Sequence, residues 1–266
     1  MAMTTVPDTW QRGNPYERYV GRWSRQVAPR FLDWMRMPPG MRWLDVGCGT
    51  GALSAAILDR CAPSSLAGVE PSEGFLQAAR ENLSGRAQLL QGGANAIPLP
   101  EASVDVVVSG LVLNFVPDPK AGLAEMMRVA GPGGTIGAYV WDYAGRMDLM
   151  RHFWDAAVEL DRDAMRLDEG VRFPICQPER LAALFGGAGL ARIATADIEV
   201  PTRFESFDDY WQPFLGGQGP APAYAMSLPE ADRARLRDRI RERLAPEADG
   251  SIGLTARAWA VRGTVP

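Results

Sequence analysis

The stretch Arg42-Trp43-Leu44-Asp45-Val46-Gly47-Cys48-Gly49-Thr50-Gly51-Ala52 constrains this chain more than any other. A short apolar run meets an acid, glycine then recurs at every second position, and a helix follows from about Gly51 to Arg60. Glycines in such a turn let backbone N–H groups approach a ligand with no Cβ in the way, and the helix offers its positive end. Gly47, Gly49 and Ala52 also satisfy the dinucleotide spacing G-x-G-x-x-G/A, so the glycines alone leave a nicotinamide cofactor open. Asp45 separates the two cases. A carboxylate at that strand end needs a cation or several donors, because burying it unpaired is costly. The amino group of S-adenosylmethionine is such a cation, beside an adenosine that requires no phosphate cradle.

Residues 44 to 51, Leu-Asp-Val-Gly-Cys-Gly-Thr-Gly, resemble letter for letter the first motif of the Rossmann-like (class I) S-adenosylmethionine-dependent methyltransferases, in their small-molecule (type 11-like) group. The resemblance continues in the family's order through Gly68-Val69-Glu70-Pro71-Ser72, Gly92-Gly93-Ala94 with Ile97-Pro98-Leu99-Pro100, Val104 to Ser109, and Gly131-Pro132-Gly133-Gly134. It implies an α/β fold: an open, seven-stranded, mostly parallel sheet with helices on both faces and the last strand antiparallel. It also implies an N-terminal helical lid over the cofactor's amino-acid end.

The chain is 266 residues long, enough for a sizeable core, with 47% hydrophobic and 23% charged residues. These are ordinary globular values. A net charge of −4 argues against a broad nucleic-acid footprint. Cys48, Cys61 and Cys176 show no C-x-x-C spacing and His152 is the only histidine, so neither a disulfide framework nor a metal site is indicated, and a reducing cytoplasm is expected. No run approaches the roughly 18 apolar residues of a membrane span.

One domain is expected over 1–266. Within it we read a lid over 14–40, a cofactor core over 41–145, variable helices and a small cap insertion over 146–250, and a terminal strand over 251–266. In the lid, Val27, Phe31, Trp34 and Met35 recur at helical spacing before Pro38-Pro39-Gly40. Tyr16, Tyr19, Arg22 and Trp23 are candidates for its inner face: Arg22 to meet a carboxylate, the aromatics to exclude water or simply to dock the helix. Glu70 ends the second strand, where its two oxygens suit the two hydroxyls of a ribose. Pro71 and Phe75 are expected against the adenine, and Gly85 is expected to end the following helix in a left-handed conformation.

In the family, the position of Gly93 usually holds an aspartate that takes the adenine amino group. Here the Ala94 backbone N–H and the Asn95 side chain are left to meet the ring. Val104 to Ser109 reads as a buried parallel strand, and ligands bind beyond the carboxyl ends of such strands. Ser109, Leu111 and Asn114 are therefore expected near the transferable methyl group, while Trp141 and Tyr143, past the fifth strand, are candidates to line an acceptor pocket. The segment after Ser109 lacks the Asn-Pro-Pro-Tyr type that resembles base-directed enzymes.

Further along, His152 on a helix from about Met147 to Asp161 is a weak candidate for a general base. The aromatic run from Phe204 to Phe214 either caps an apolar acceptor or packs on its own domain. Gly216 to Pro222 reads as a loop, and Ser227-Leu228-Pro229-Glu230 as a capping box for the last helix. Its arginines, interleaved with acids, read as a solvated face.

Together these features point to an enzyme, monomer or homodimer, that transfers a methyl group from S-adenosylmethionine to a small organic acceptor by in-line displacement. The alternatives are a nicotinamide-dependent oxidoreductase using the same turn, and a non-catalytic S-adenosylmethionine-binding protein.

Overall fold

The computed structural model describes residues 21–216 and 219–266. Tyr16 and Tyr19 lie outside the described residues. The chain groups into two compact units. The sheet unit comprises Ser24–Trp141, Ile175–Ile198 and Ala258–Pro266. The aromatic unit comprises 21–23, Asp142–Pro174 and Glu199–Arg257.

Seven strands form one sheet in the order β3-β2-β1-β4-β5-β7-β6. They are β1 (Arg42–Val46), β2 (Ser65–Glu70), β3 (Gln88–Gln91), β4 (Val106–Gly110), β5 (Thr135–Trp141), β6 (Ala191–Phe204) and β7 (Ile252–Thr264). The first five are parallel, and β7 runs antiparallel to β5, as expected from the sequence. Val106, Val107 and Val108 are wholly buried, which accounts for a run of β-branched residues without alternation.

Helices α1 (Arg22–Met35), α2 (Ala52–Arg60), α3 (Glu73–Leu83), α4 (Pro119–Ala130) and α7 (Pro178–Gly187) accompany these strands. Phe31 on α1 packs on Tyr139 of β5 with ring centroids 4.8 Å apart. Gly137 makes that approach possible, since a Cβ there would lie 2.7 Å from the Met35 sulfur. Arg262 donates to the Trp34 and Met35 carbonyls and so closes the end of α1. Asp118 caps α4 with bonds from the Lys120 and Ala121 amides, as the Asp-Pro start implies. Helix α3 ends at Leu83, as expected, but Ser84 rather than Gly85 takes the left-handed cap, at φ 49°, with Gly85 following at φ 75°.

The aromatic unit holds α5 (Asp148–Leu160), α6 (Glu169–Arg172), α8 (Phe207–Trp211), α9 (Pro220–Ser227) and α10 (Glu230–Arg243). Phe153 stacks on Phe214 at 4.5 Å, Trp154 meets Tyr224 at 5.6 Å, and the Tyr210 hydroxyl donates to the Leu149 carbonyl. Phe204, Tyr210 and Phe214 are fully buried, so the aromatic run is this unit's own core. The expected capping box does not form. Ser227 is the last residue of α9 and its hydroxyl bonds back to the Tyr224 carbonyl, while α10 starts after Pro229 with no side-chain cap. Helix α9 also begins at Pro220, inside the stretch read as a loop.

Candidate active site

In the sheet unit, the turn after β1 is built as its glycines demand. Gly47, Gly49 and Gly51 all have positive φ (73°, 54° and 88°), a region that side chains with a Cβ rarely enter. A Cβ at Gly47 would also strike Val112 at 2.6 Å. The Gly47 and Cys48 amides donate to the Val69 carbonyl, which ties the turn to the end of β2. Gly51 then opens α2.

Two acids converge on this turn. Asp45 is 1% exposed and accepts a 2.7 Å bond from the Ser54 hydroxyl of α2. Burial raises its pKa to about 7, the Ser54 bond opposes the rise, and the charge of Glu70 adds to it. Glu70 is buried as well. One of its oxygens accepts from the Gly49 amide at 3.2 Å and the other from the Ser72 amide at 3.0 Å. Its pKa is also raised, by burial and against those two amides. Burial together with both carboxylates pushes the Cys48 thiol upward, so that thiol stays protonated.

The rim comes from the neighbouring strand ends. Leu111 follows β4 at φ +63°, a strained conformation for a branched side chain, and its amide bonds the Tyr139 carbonyl at 2.7 Å. Asn114 sits in the 3-10 turn Leu113–Phe115, with both amide atoms buried and without a partner. Ser109 departs from expectation. It is fully buried and its hydroxyl donates to the Val46 carbonyl at 2.9 Å, so it braces β4 against β1 and is not offered to a ligand.

Beyond β3, Gly93 forms a bridge with Ala96, and Ala94 and Asn95 lie between them with Asn95 exposed. Arg128 holds this loop by donating to the Ile97 and Leu99 carbonyls. A Cβ at Gly93 would meet nothing within 4 Å. Pro71 is exposed and its carbonyl accepts from the Gln91 amide; Phe75 is buried on α3.

The remaining candidates are otherwise placed. Trp141 is buried at the end of β5 with its indole N–H unpartnered. In the aromatic unit, Arg22 pairs with Asp209 at 3.1 Å and lies over the rings of Trp23 and Phe204, which leaves its Nε and Nη2 buried and without partners. Trp23 packs edge-on against Phe204. Tyr143 packs on Phe173. His152 is half-buried on α5; burial lowers its pKa, Asp148 and Asp155 oppose that and Arg243 assists it.

One buried acid escaped the sequence reading altogether. Glu169 is 2% exposed, accepts a hydrogen bond from the Trp154 indole, and leaves its other oxygen unpartnered. Burial raises its pKa to about 8. Only the tertiary packing of α6 against α5 reveals it.

The strand order agrees with the fold that comparison with known proteins finds. Residues 44–137 match a family model described as a methyltransferase domain. Over half of its length the chain is 33% identical to malonyl-(acyl-carrier protein) O-methyltransferase of Serratia marcescens, covering 55% of that protein. It is 30% identical to 2-methyl-6-phytyl-1,4-hydroquinone methyltransferase of Synechocystis over 69% of its own length and 57% of the relative's. The chain thus spans little more than half the length of these relatives. In fold it resembles a putative methyltransferase from Bacillus halodurans, with a TM-score of 0.59 at 14% identity over 91% of this chain and 99% of that one.

Proposed function

We propose that the chain is an S-adenosylmethionine-dependent methyltransferase acting on a small organic acceptor. The observation that carries the reading is the pair Asp45 and Glu70. Both carboxylates are buried, both have raised pKa values, the charge of Glu70 adds to the rise at Asp45, and no cation among the described residues pairs with either. Such an arrangement is costly in an empty site and becomes favourable when a ligand brings a positive charge and hydroxyl donors. The cofactor's amino group and ribose supply both.

Asp45 takes the amino group, Glu70 the ribose hydroxyls, and Gly49, where a Cβ would meet nothing within 4 Å, lets the ligand lie against the backbone. Pro71, Ala94 and Asn95 take the adenine, with Gly93 leaving vacant the place of the usual aspartate. Leu111 and Asn114 stand at the rim. When bound, the cofactor supplies an electrophilic methyl on a positively charged sulfur. The chain's own task is then to align an acceptor in line with that methyl and to exclude water, the strained Leu111 fixing the end of β4 and the Asn114 amide offering a donor and an acceptor. His152 is not assigned a role.

The relatives' names include a malonyl-(acyl-carrier protein) and a hydroquinone acceptor, which supports an oxygen or carbon nucleophile. The net charge and the free thiols Cys48, Cys61 and Cys176 support a reducing, cytoplasmic setting without a nucleic-acid partner, as monomer or homodimer. No helix among the described residues is long and apolar enough to cross a membrane.

The test is transfer from S-adenosylmethionine carrying a labelled methyl group to a panel of small carboxylic acids, hydroquinones and amines. Label in any acceptor, abolished by Asp45→Ala, supports the proposal. Tight cofactor binding with no label transferred anywhere would assign the chain a binding role alone.

A further inference from the structure

The aromatic unit carries a pocket that the methyl-transfer reading does not use. It lies where α5, α9 and α10 meet and has a volume of about 190 Å³. Ala157, Leu160, Leu228 and Leu236 give it an apolar lining. Leu160 is unusually open for its kind, at 37% exposure.

Its polar groups have one sign in excess. Asp161 and Asp232 both line it, and the single cation, Arg235, is already spent on Asp232 at 3.3 Å. Asp161 caps the turn that follows α5 through the Asp163 amide, which uses one of its oxygens. Tyr224 supplies the independent observation. Its side chain is 7% exposed, its ring is clamped against Trp154, and its hydroxyl has no hydrogen-bond partner among the described residues. Tyr224, Asp161 and Asp232 line the same pocket, and burial and then the charges of the two aspartates raise the pKa of that hydroxyl.

We propose that this pocket binds a small organic ammonium ion, with its hydrocarbon body on the leucines and its charged head between Asp161, Asp232 and the Tyr224 hydroxyl. An anion would meet two carboxylates. A neutral molecule would gain no charge pairing from Asp161, and an apolar floor with a few convergent polar groups is how small-ligand sites are generally made. The volume is below the roughly 300–1,000 Å³ of pockets that enclose drug-sized ligands, so the occupant is of fragment size.

Methyl-resolved NMR of the full chain, labelled at leucine and titrated with phenethylammonium chloride, tests this. The methyl signals of Leu160, Leu228 and Leu236 should shift saturably. The neutral isostere 2-phenylethanol should bind about tenfold more weakly or worse, and phenylacetate not at all. Asp232→Asn and Asp161→Asn, which preserve shape and the Asp161 cap, should each weaken binding several-fold. Arg235→Gln, a change at an exposed side chain, should strengthen binding by releasing Asp232, so a gain remains readable even if an aspartate variant folds poorly. Shifts absent from these leucines, equal binding of the alcohol, or no gain with Arg235→Gln would each overturn the assignment.

Discussion

Asp45 in the sheet unit and Glu169 in the aromatic unit are both buried carboxyls held near neutrality, yet their surroundings give them different work. Asp45 stands before a turn of three positive-φ glycines, and the charge of the buried Glu70 adds to the rise of its pKa. Glu169 stands at the start of a four-residue helix, against the Trp154 indole and beside the Arg151–Asp168 ion pair at 2.8 Å. Under the proposed function the raised pKa of the first belongs to a ligand site whose occupant brings a positive charge. In the second, aromatic packing fills the space, and the raised pKa describes a neutral acid inside a core.

The sharpest way to break this contrast is to remove each acid. Asp45→Ala should weaken S-adenosylhomocysteine binding by about a hundredfold or more, since it removes the partner of a buried ammonium, with thermal stability unchanged or higher. Glu169→Gln should leave that affinity within about twofold. Calorimetry with melting curves reads both. Comparable losses from the two variants would erase the distinction.

Next in size is the turn itself. Gly47→Ala forces a side chain into a positive-φ position and against Val112, so it should cost about 1–3 kcal/mol, seen as a lower denaturation midpoint.

The two acids also differ in how pH acts through them. Glu169 has its folded pKa raised to about 8 from an ordinary carboxyl value, so its contribution to stability is full below that ordinary range, falls steadily as pH rises from there, and is gone above about 8. Wild type should therefore lose melting temperature across that window, and Glu169→Gln should flatten the loss. For Asp45, raised to about 7, the carboxylate is the form that holds the ammonium. Cofactor affinity should rise with pH until about 7 and level off above it, and Asp45→Asn should remove the rise.

The smallest effect expected is a gain. Gly93→Asp, at a position with open space for a Cβ, should restore the adenine acceptor and tighten binding by up to about tenfold.

What could be read in advance follows the range of the interactions involved. The turn, the acid at the end of β2, the Asp118 cap and the strand order are set by neighbours in sequence, or by the parallel crossover pattern, and they stand as expected. Ser109 lies on the right strand, but whether its hydroxyl faces a ligand or the Val46 carbonyl depends on register with β1. Ser227 fits a capping box by spacing, yet bonding back to Tyr224 competed successfully for its hydroxyl. Glu169 has no local signature at all. Its character comes from Trp154, fifteen residues away on α5.

The most direct test of the central claim is calorimetry of S-adenosylhomocysteine on the full chain at about pH 6 and about pH 8, on either side of the Asp45 titration. The account requires binding at both, tighter at the higher pH, with proton release to buffer at the lower. No binding, or an affinity and proton balance indifferent to pH, would contradict it.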